Sequence, residues 1–262
     1  ELGAVQQLLE DSLAQLFMPF DHLARTHIQK AVPFRCATTV LATCVEADET
    51  VQGARQARLQ QQRLYLGAAL EMLRIALTIH QLLLQRTNHH ASSDDTVPSI
   101  ENDENERSIA GSIILTGDFC FTQSAILAAN TDNIEVVAIF SQTLKQLSEG
   151  ILSNLFQARE GQAIEERAHT MHGAGFTENR QQAHKPTAEF SDYDIELALC
   201  QAGVEGSAAL NGLTAEQVDA TKAVVALWLD APAKPLQNML PSLLGRFPSA
   251  QRQRWRAVLS FS

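Results

Sequence analysis

The sequence predicts an all-α protein of about eight to ten helices. Three observations predict it. Glycine (13) and proline (8) are scarce in 262 residues, so few tight turns are encoded. Aromatics are only 6% of a chain rich in Ala, Leu and Gln, residues that lose little side-chain entropy in a helix. There is no period-two alternation. Instead two helix-length stretches, LYLGAALEMLRIALTIHQLLLQ and SIAGSIILTGDFCFTQSAILAA, are apolar almost all round. A helix apolar on every face is expected to be buried on every face, so these two predict a central pair, Leu64 to Gln85 and Ile109 to Ala129.

The other elements follow in order. Leu8, Leu9, Leu13, Leu16 and Phe17 recur at helical spacing from Gln6 towards Asp21, and Pro19 ends the pattern. Pro33 opens a helix through Cys36, Val40 and Leu41. The run from Val51 to Gln85 begins polar and becomes the first central helix. Residues Thr87 to Arg107, rich in Asn, Ser, Asp and Glu with one Pro, read as a surface loop. Thr131 is a candidate N-cap for a helix from about Asn133 to Arg159, with Ile134, Val137, Phe140, Leu144, Leu147, Ile151, Leu155 and Phe156 on one stripe. Gly161 to Ser191 is polar and reads as a second loop. Helices around Ile195 to Ala209 and Ala215 to Leu229 follow. Pro232, Pro235 and Pro241 then fragment the chain before a C-terminal helix carrying Arg252, Arg254, Trp255 and Arg256. No linker divides the chain, so residues 1–262 read as one domain with polar excursions at about 87–107 and 161–191.

Composition removes several function classes. Apolar residues are 45% and charged residues 19%, which excludes wholesale disorder. A net charge of −10 excludes nucleic acid as a partner bound through bulk charge. The four cysteines, Cys36, Cys44, Cys120 and Cys200, are scattered and form no Cys-x-x-Cys pair; most read as small buried hydrophobes. No run approaches about 18 uninterrupted apolar residues, so no transmembrane segment is expected. No basic region followed by an apolar run is visible, and the expected setting is a reducing cytoplasm.

Candidate chemical clusters are weak. Glu166 and His169, with Glu165 and His172, give one Glu-x-x-His, half of a di-iron signature, and no second copy exists. His89, His90, Asp94 and Asp95 sit in the acidic loop and read as a solvated charge cluster. Asp118 stands in an apolar run and is expected to be buried and hydrogen-bonded between helices. His80, flanked by Leu77, Ile79, Leu82 and Leu83, reads as a hydrogen-bonded core histidine. None of these assigns a catalytic residue or a metal ligand.

The central helix ending in His80, then a helix with Gly117, Asp118 and Phe119, then one with Glu149 and Gly150, is similar to the trans-polyprenyl diphosphate synthase family. The order of elements agrees from about Val32 to Leu229. The resemblance implies an isoprenoid-synthase-like helical bundle around a central cavity. It also implies prenyltransferase chemistry, in which Asp-Asp-x-x-Asp on the central helix holds Mg²⁺ against an allylic diphosphate.

The residues for that chemistry are substituted. Gln81, Leu82 and Gln85 stand at the aspartates, and no Arg-Arg-Gly follows. Of the basic N-terminal motif Lys30 and Pro33 persist, while Val32 replaces an arginine. No Gly-Lys-Thr counterpart lies near Ile195. The second aspartate-rich motif is reduced to Asp230 followed by Pro232. The resemblance therefore implies a vestigial substrate cavity marked by Lys30, Ala76, Leu77, His80, Gln81, Gln85 and Asp118, with no cofactor and no bound Mg²⁺. The expected role is a non-catalytic subunit of isoprenoid biosynthesis, as a homodimer or a heterodimer with a catalytic polyprenyl synthase. The alternatives are an active enzyme on an altered isoprenoid substrate and a prenyl-chain binding protein.

Overall fold

The computed structural model describes residues 1–16, 18, 20–30, 34–44, 53–90, 100–171, 190–230 and 244–260, with side chains outside 27–30, 84–90, 100–106 and 157–171. Among the described residues the chain forms nine helices and no strand. They are α1 (Leu2–Leu13), α2 (Phe20–Lys30), α3 (Arg35–Thr43), α4 (Gly53–His90), α5 (Ile100–Ala129), α6 (Ile134–Met171), α7 (Asp192–Asn211), α8 (Ala215–Asp230) and α9 (Ser249–Ser260).

α4 is the axis of the molecule. It packs along α5 and also meets α1, α2, α3 and α7. From Leu66 to Ile79 nearly every side chain is buried, including Leu70, Met72, Leu73 and Ile75, as its all-round apolar pattern requires. α3 is sandwiched between α4 and α7, with α9 against its outer end. Arg254 of α9 donates to the carbonyls of Leu41 and Cys44 at 2.9 Å each, closing the C-terminus of α3. Trp255 is fully buried and meets Trp228 of α8 edge-on, ring centroids 6.3 Å apart.

α7 is the most sharply delimited element. Ser191 and Asp194 form a reciprocal capping box at its start, and Gly212 takes the left-handed conformation (φ 68°) at its end. These hydrogen bonds to Ser191 hold the Asp194 carboxyl below its ordinary value.

The structure corrects several expectations. The first helix breaks after Leu13, and a separate helix, α2, begins at Phe20. α4 runs on to His90 and α5 starts at Ile100, so only residues 91–99 of the first excursion lie outside the described set. α6 continues to Met171 through the start of the second excursion, so Glu165, Glu166 and His169 are on a helix. The cap of α6 is Asn133 rather than Thr131: its Oδ1 accepts from the N–H groups of Glu135 (3.0 Å) and Val136 (3.2 Å). Thr131 is buried and donates to Ala128 instead.

The largest correction concerns α5. Its composition matches that of α4, yet only its inner side is covered. Ile114 (42%), Leu115 (62%) and Ile126 (46%) are exposed on its outer side. By length and composition Gly53–Leu83 and Arg107–Ala129 would each be long and apolar enough to cross a membrane. The window in α4 is mostly buried within the protein, that in α5 less than half.

Candidate functional site

The site lies where α4 leaves the core. From Leu66 to Ile79 most of its side chains are enclosed; from His80 to Leu83 they are half-buried. His80 and Gln81, 100° apart around the helix, face different neighbours.

His80 faces α5. Its ring lies over Gly117, where a Cβ would come within 2.3 Å of Nε2. Nothing larger than hydrogen fits there without moving the imidazole. Nε2 is 3.3 Å from Asp118 Oδ1. Asp118 is not buried, contrary to expectation: its side chain is 64% exposed. Gly117 takes the inward position, so the next residue turns outward. The expected polar link between the helices is present, but at the surface.

Gln81 faces α7. Its Nε2 donates to Asp192 Oδ1 at 2.8 Å, bridging α4 to the first turn of α7. Behind this bridge is a cavity of about 200 Å³ lined by Arg74, Leu77, Thr78, Gln81, Asp192, Ile195 and Glu196. Leu77 and Gln81 thus reach the cavity, one helical turn apart. Ala76 is buried in the core beside it. Lys30 and Gln85 belong to α2 and α4, but their side chains lie outside the described set, as do Val32 and the segment following Asp230.

Two ion pairs frame the cavity, Arg74–Glu71 within α4 and Arg35–Glu196 between α3 and α7. Glu71, fully buried, accepts from Arg74 Nε at 2.8 Å and from the backbone N–H of Ala37 at 3.1 Å. Arg35 pairs with Glu196 at 2.8 Å and lies 5.8 Å from the Trp228 ring centroid. Both arginines are committed to carboxylates.

The start of α7 is fixed by a clamp from α6. Asn154 donates to the Phe190 carbonyl and accepts from the Phe190 N–H at 2.9 Å. The Phe190 ring lies on Gly150, where a Cβ would be 2.7 Å away. Replacing Asn154 with alanine should strand two backbone groups and cost about 1–3 kcal/mol. Faster hydrogen exchange in the first turn of α7 should accompany the loss. Unchanged exchange would mean that α7 is held by its apolar face alone.

Among the described residues the donors at this mouth differ from those of a magnesium cluster. Gln81 is a neutral amide already bonded to Asp192, and hard cations prefer several convergent carboxylates. Among the described residues no three His, Cys, Asp or Glu side chains are grouped closely enough to hold a metal.

The architecture is that of an isoprenoid-synthase-type helical bundle. No protein-family model and no curated sequence matches the chain. Among solved structures it is similar to a decaprenyl diphosphate synthase from Rhodobacter capsulatus, with a TM-score of 0.53 and 17% identity, covering 98% of this chain and 74% of that one. At this identity the likeness establishes the fold.

Proposed function

We propose that this chain is a homologue of the polyprenyl diphosphate synthases that serves isoprenoid biosynthesis as a non-catalytic subunit, in contact with a catalytic synthase. The observation carrying the proposal is the Gln81–Asp192 bridge across the mouth of the cavity. A position that would have to present negative charge to Mg²⁺ presents an amide donor instead. The space behind it, among the described residues, is about 200 Å³.

The subunit role is supported by the outer side of α5. Ile114, Leu115 and Ile126 there, with Leu152 and Phe156 on α6, are more apolar than a solvated helix surface requires. Long helices of this kind suit an isologous interface that a catalytic paralogue can share. Sedimentation velocity of the chain alone, and mixed with a catalytic polyprenyl synthase, tests the pairing. A complex is expected, abolished by Leu115→Glu. A chain that stays monomeric and never co-migrates with the synthase would overturn it.

Alone, with Mg²⁺, isopentenyl diphosphate and an allylic diphosphate, the chain should condense at least about 1,000-fold more slowly than a catalytic synthase. Radiolabel incorporation near synthase rates, abolished by EDTA, would favour the altered-enzyme reading instead.

A further inference from the structure

Cys36 of α3 and Cys200 of α7 are both fully buried and reduced, on helices that approach each other closely. The approach depends on Gly203, one turn after Cys200. A Cβ at that position would lie 3.1 Å from Val40 and 3.7 Å from the Cys36 carbonyl oxygen. The small residue brings the α3 backbone against the face of α7 that carries Cys200. Cys36 and Cys200 flank that helix contact, one on each side; the neighbouring Cys200 thiol, then burial, pushes the Cys36 thiol well above its ordinary range.

We propose that Cys36 and Cys200 are a dithiol pair that a low-molecular-weight disulfide converts to an intramolecular disulfide, locking α3 to α7. One protein thiolate attacks the small disulfide, forming a mixed disulfide and releasing one small thiol. The second protein thiolate displaces the other. Two protein thiols lose two protons and two electrons, and the small disulfide is reduced to two thiols. Because the thiolate is the nucleophile, burial keeps the pair reduced until α3 and α7 part. The device is slow by construction and would respond to sustained oxidation.

The other cysteines provide internal comparison. Cys44 accepts from the Asn211 amide at 3.2 Å, and burial raises its thiol. Cys120 lies on α5, its thiol pushed up to about 12 by burial. The consequence of the lock falls on α7, which supplies Asp192, Ile195 and Glu196 to the cavity wall. The inference rests on the packing of α3 and α7 and holds whichever function the chain serves.

The full chain is incubated folded with oxidised glutathione. In parallel it is refolded from denaturant in a glutathione redox buffer, so that burial cannot block exchange. Peptide mapping should show Cys36 joined to Cys200. Tm should rise by roughly 5–10 °C, reversed by dithiothreitol. Cys44→Ala and Cys120→Ala should retain the linkage and the shift; Cys36→Ala and Cys200→Ala should lose both. If either of the last two fails to fold, mapping of the unsubstituted chain decides. Refolded chain without a 36–200 linkage, a linkage through Cys44 or Cys120, or a 36–200 linkage that lowers Tm would overturn the proposal.

Discussion

Glu71→Ala should destabilise the protein by about 3–5 kcal/mol, the scale of breaking a buried ion pair from one side. Glu71 is fully buried on α4 and serves two clients. Its Oε2 accepts from Arg74, and its Oε1 accepts from the Ala37 N–H in the first turn of α3. That turn has no cap of its own, because Phe34 makes no side-chain hydrogen bond there. A carboxylate from the neighbouring helix therefore supplies the acceptor and the negative charge that a helix N-terminus favours. Alanine leaves a mostly buried guanidinium and a helix N-terminus unpaired together. Glu71→Gln keeps the shape and one of the two acceptor oxygens but turns an amide NH₂ towards the other donor, so it should recover only part of the loss. Urea denaturation of the single variants and of Glu71→Ala with Arg74→Ala gives the coupling. The double variant should be less destabilised than the sum, by about 1–3 kcal/mol. If Glu71→Ala costs under about 1 kcal/mol, α3 is held by its apolar face and not by this carboxylate.

How far the sequence reveals these features depends on whether the deciding contact is local. α4 was legible because an all-round apolar pattern has one outcome when other helices of the same chain surround it. α5 carries the same pattern and the same expectation, yet Leu115 and Ile126 are exposed. Hydropathy records that a face is apolar, not whether its cover belongs to the same chain. The sequence ends α6 near Arg159, because the polar stretch that follows has the composition of a loop. AREGQAIEERAH contains good helix formers and no proline, and propensity prevails there.

The site shows the same division. The motifs around His80, Gly117 and Gly150 could be read, and the structure supplies the physical reason for the glycines: His80 occupies the space over one and Phe190 the space over the other. Asp192 could not be found, because no periodicity links it to Gln81, 111 positions earlier. Nor could Asn154, whose clamp acts through the backbone of Phe190 and leaves no trace in residue type. Apolar neighbours in sequence place Asp118 in the core. A one-residue register, with Gly117 inward, decides otherwise.

Changing Gln81, Leu82 and Gln85 together to aspartate should turn the mouth of the cavity into a metal-dependent element. The substitutions fall at i, i+1 and i+4 on α4, so the first and third are one turn apart on a common face. At position 81 the amide that donates to Asp192 becomes a carboxylate opposing it. At position 82 a half-buried leucine packed against the core is lost. Like charges at a partly buried site and the lost apolar contact should together lower Tm by roughly 10 °C without metal. If the new carboxylates converge with Asp192, Mg²⁺ should bind the folded state alone. At tenfold excess over its Kd it should restore about 1.4 kcal/mol, or roughly 3–5 °C. Adding Asp192→Asn to the triple variant separates the causes: Tm without metal should recover in part, and the response to Mg²⁺ should shrink. Condensation should remain absent in every variant, because Val32 still stands where the resemblance places a diphosphate-binding arginine. Thermal melts with and without Mg²⁺, at matched ionic strength, decide it. A triple variant that is destabilised but indifferent to Mg²⁺ would show that α4 and α7 no longer present a common coordination face, and that Gln81 and Leu82 now serve packing alone.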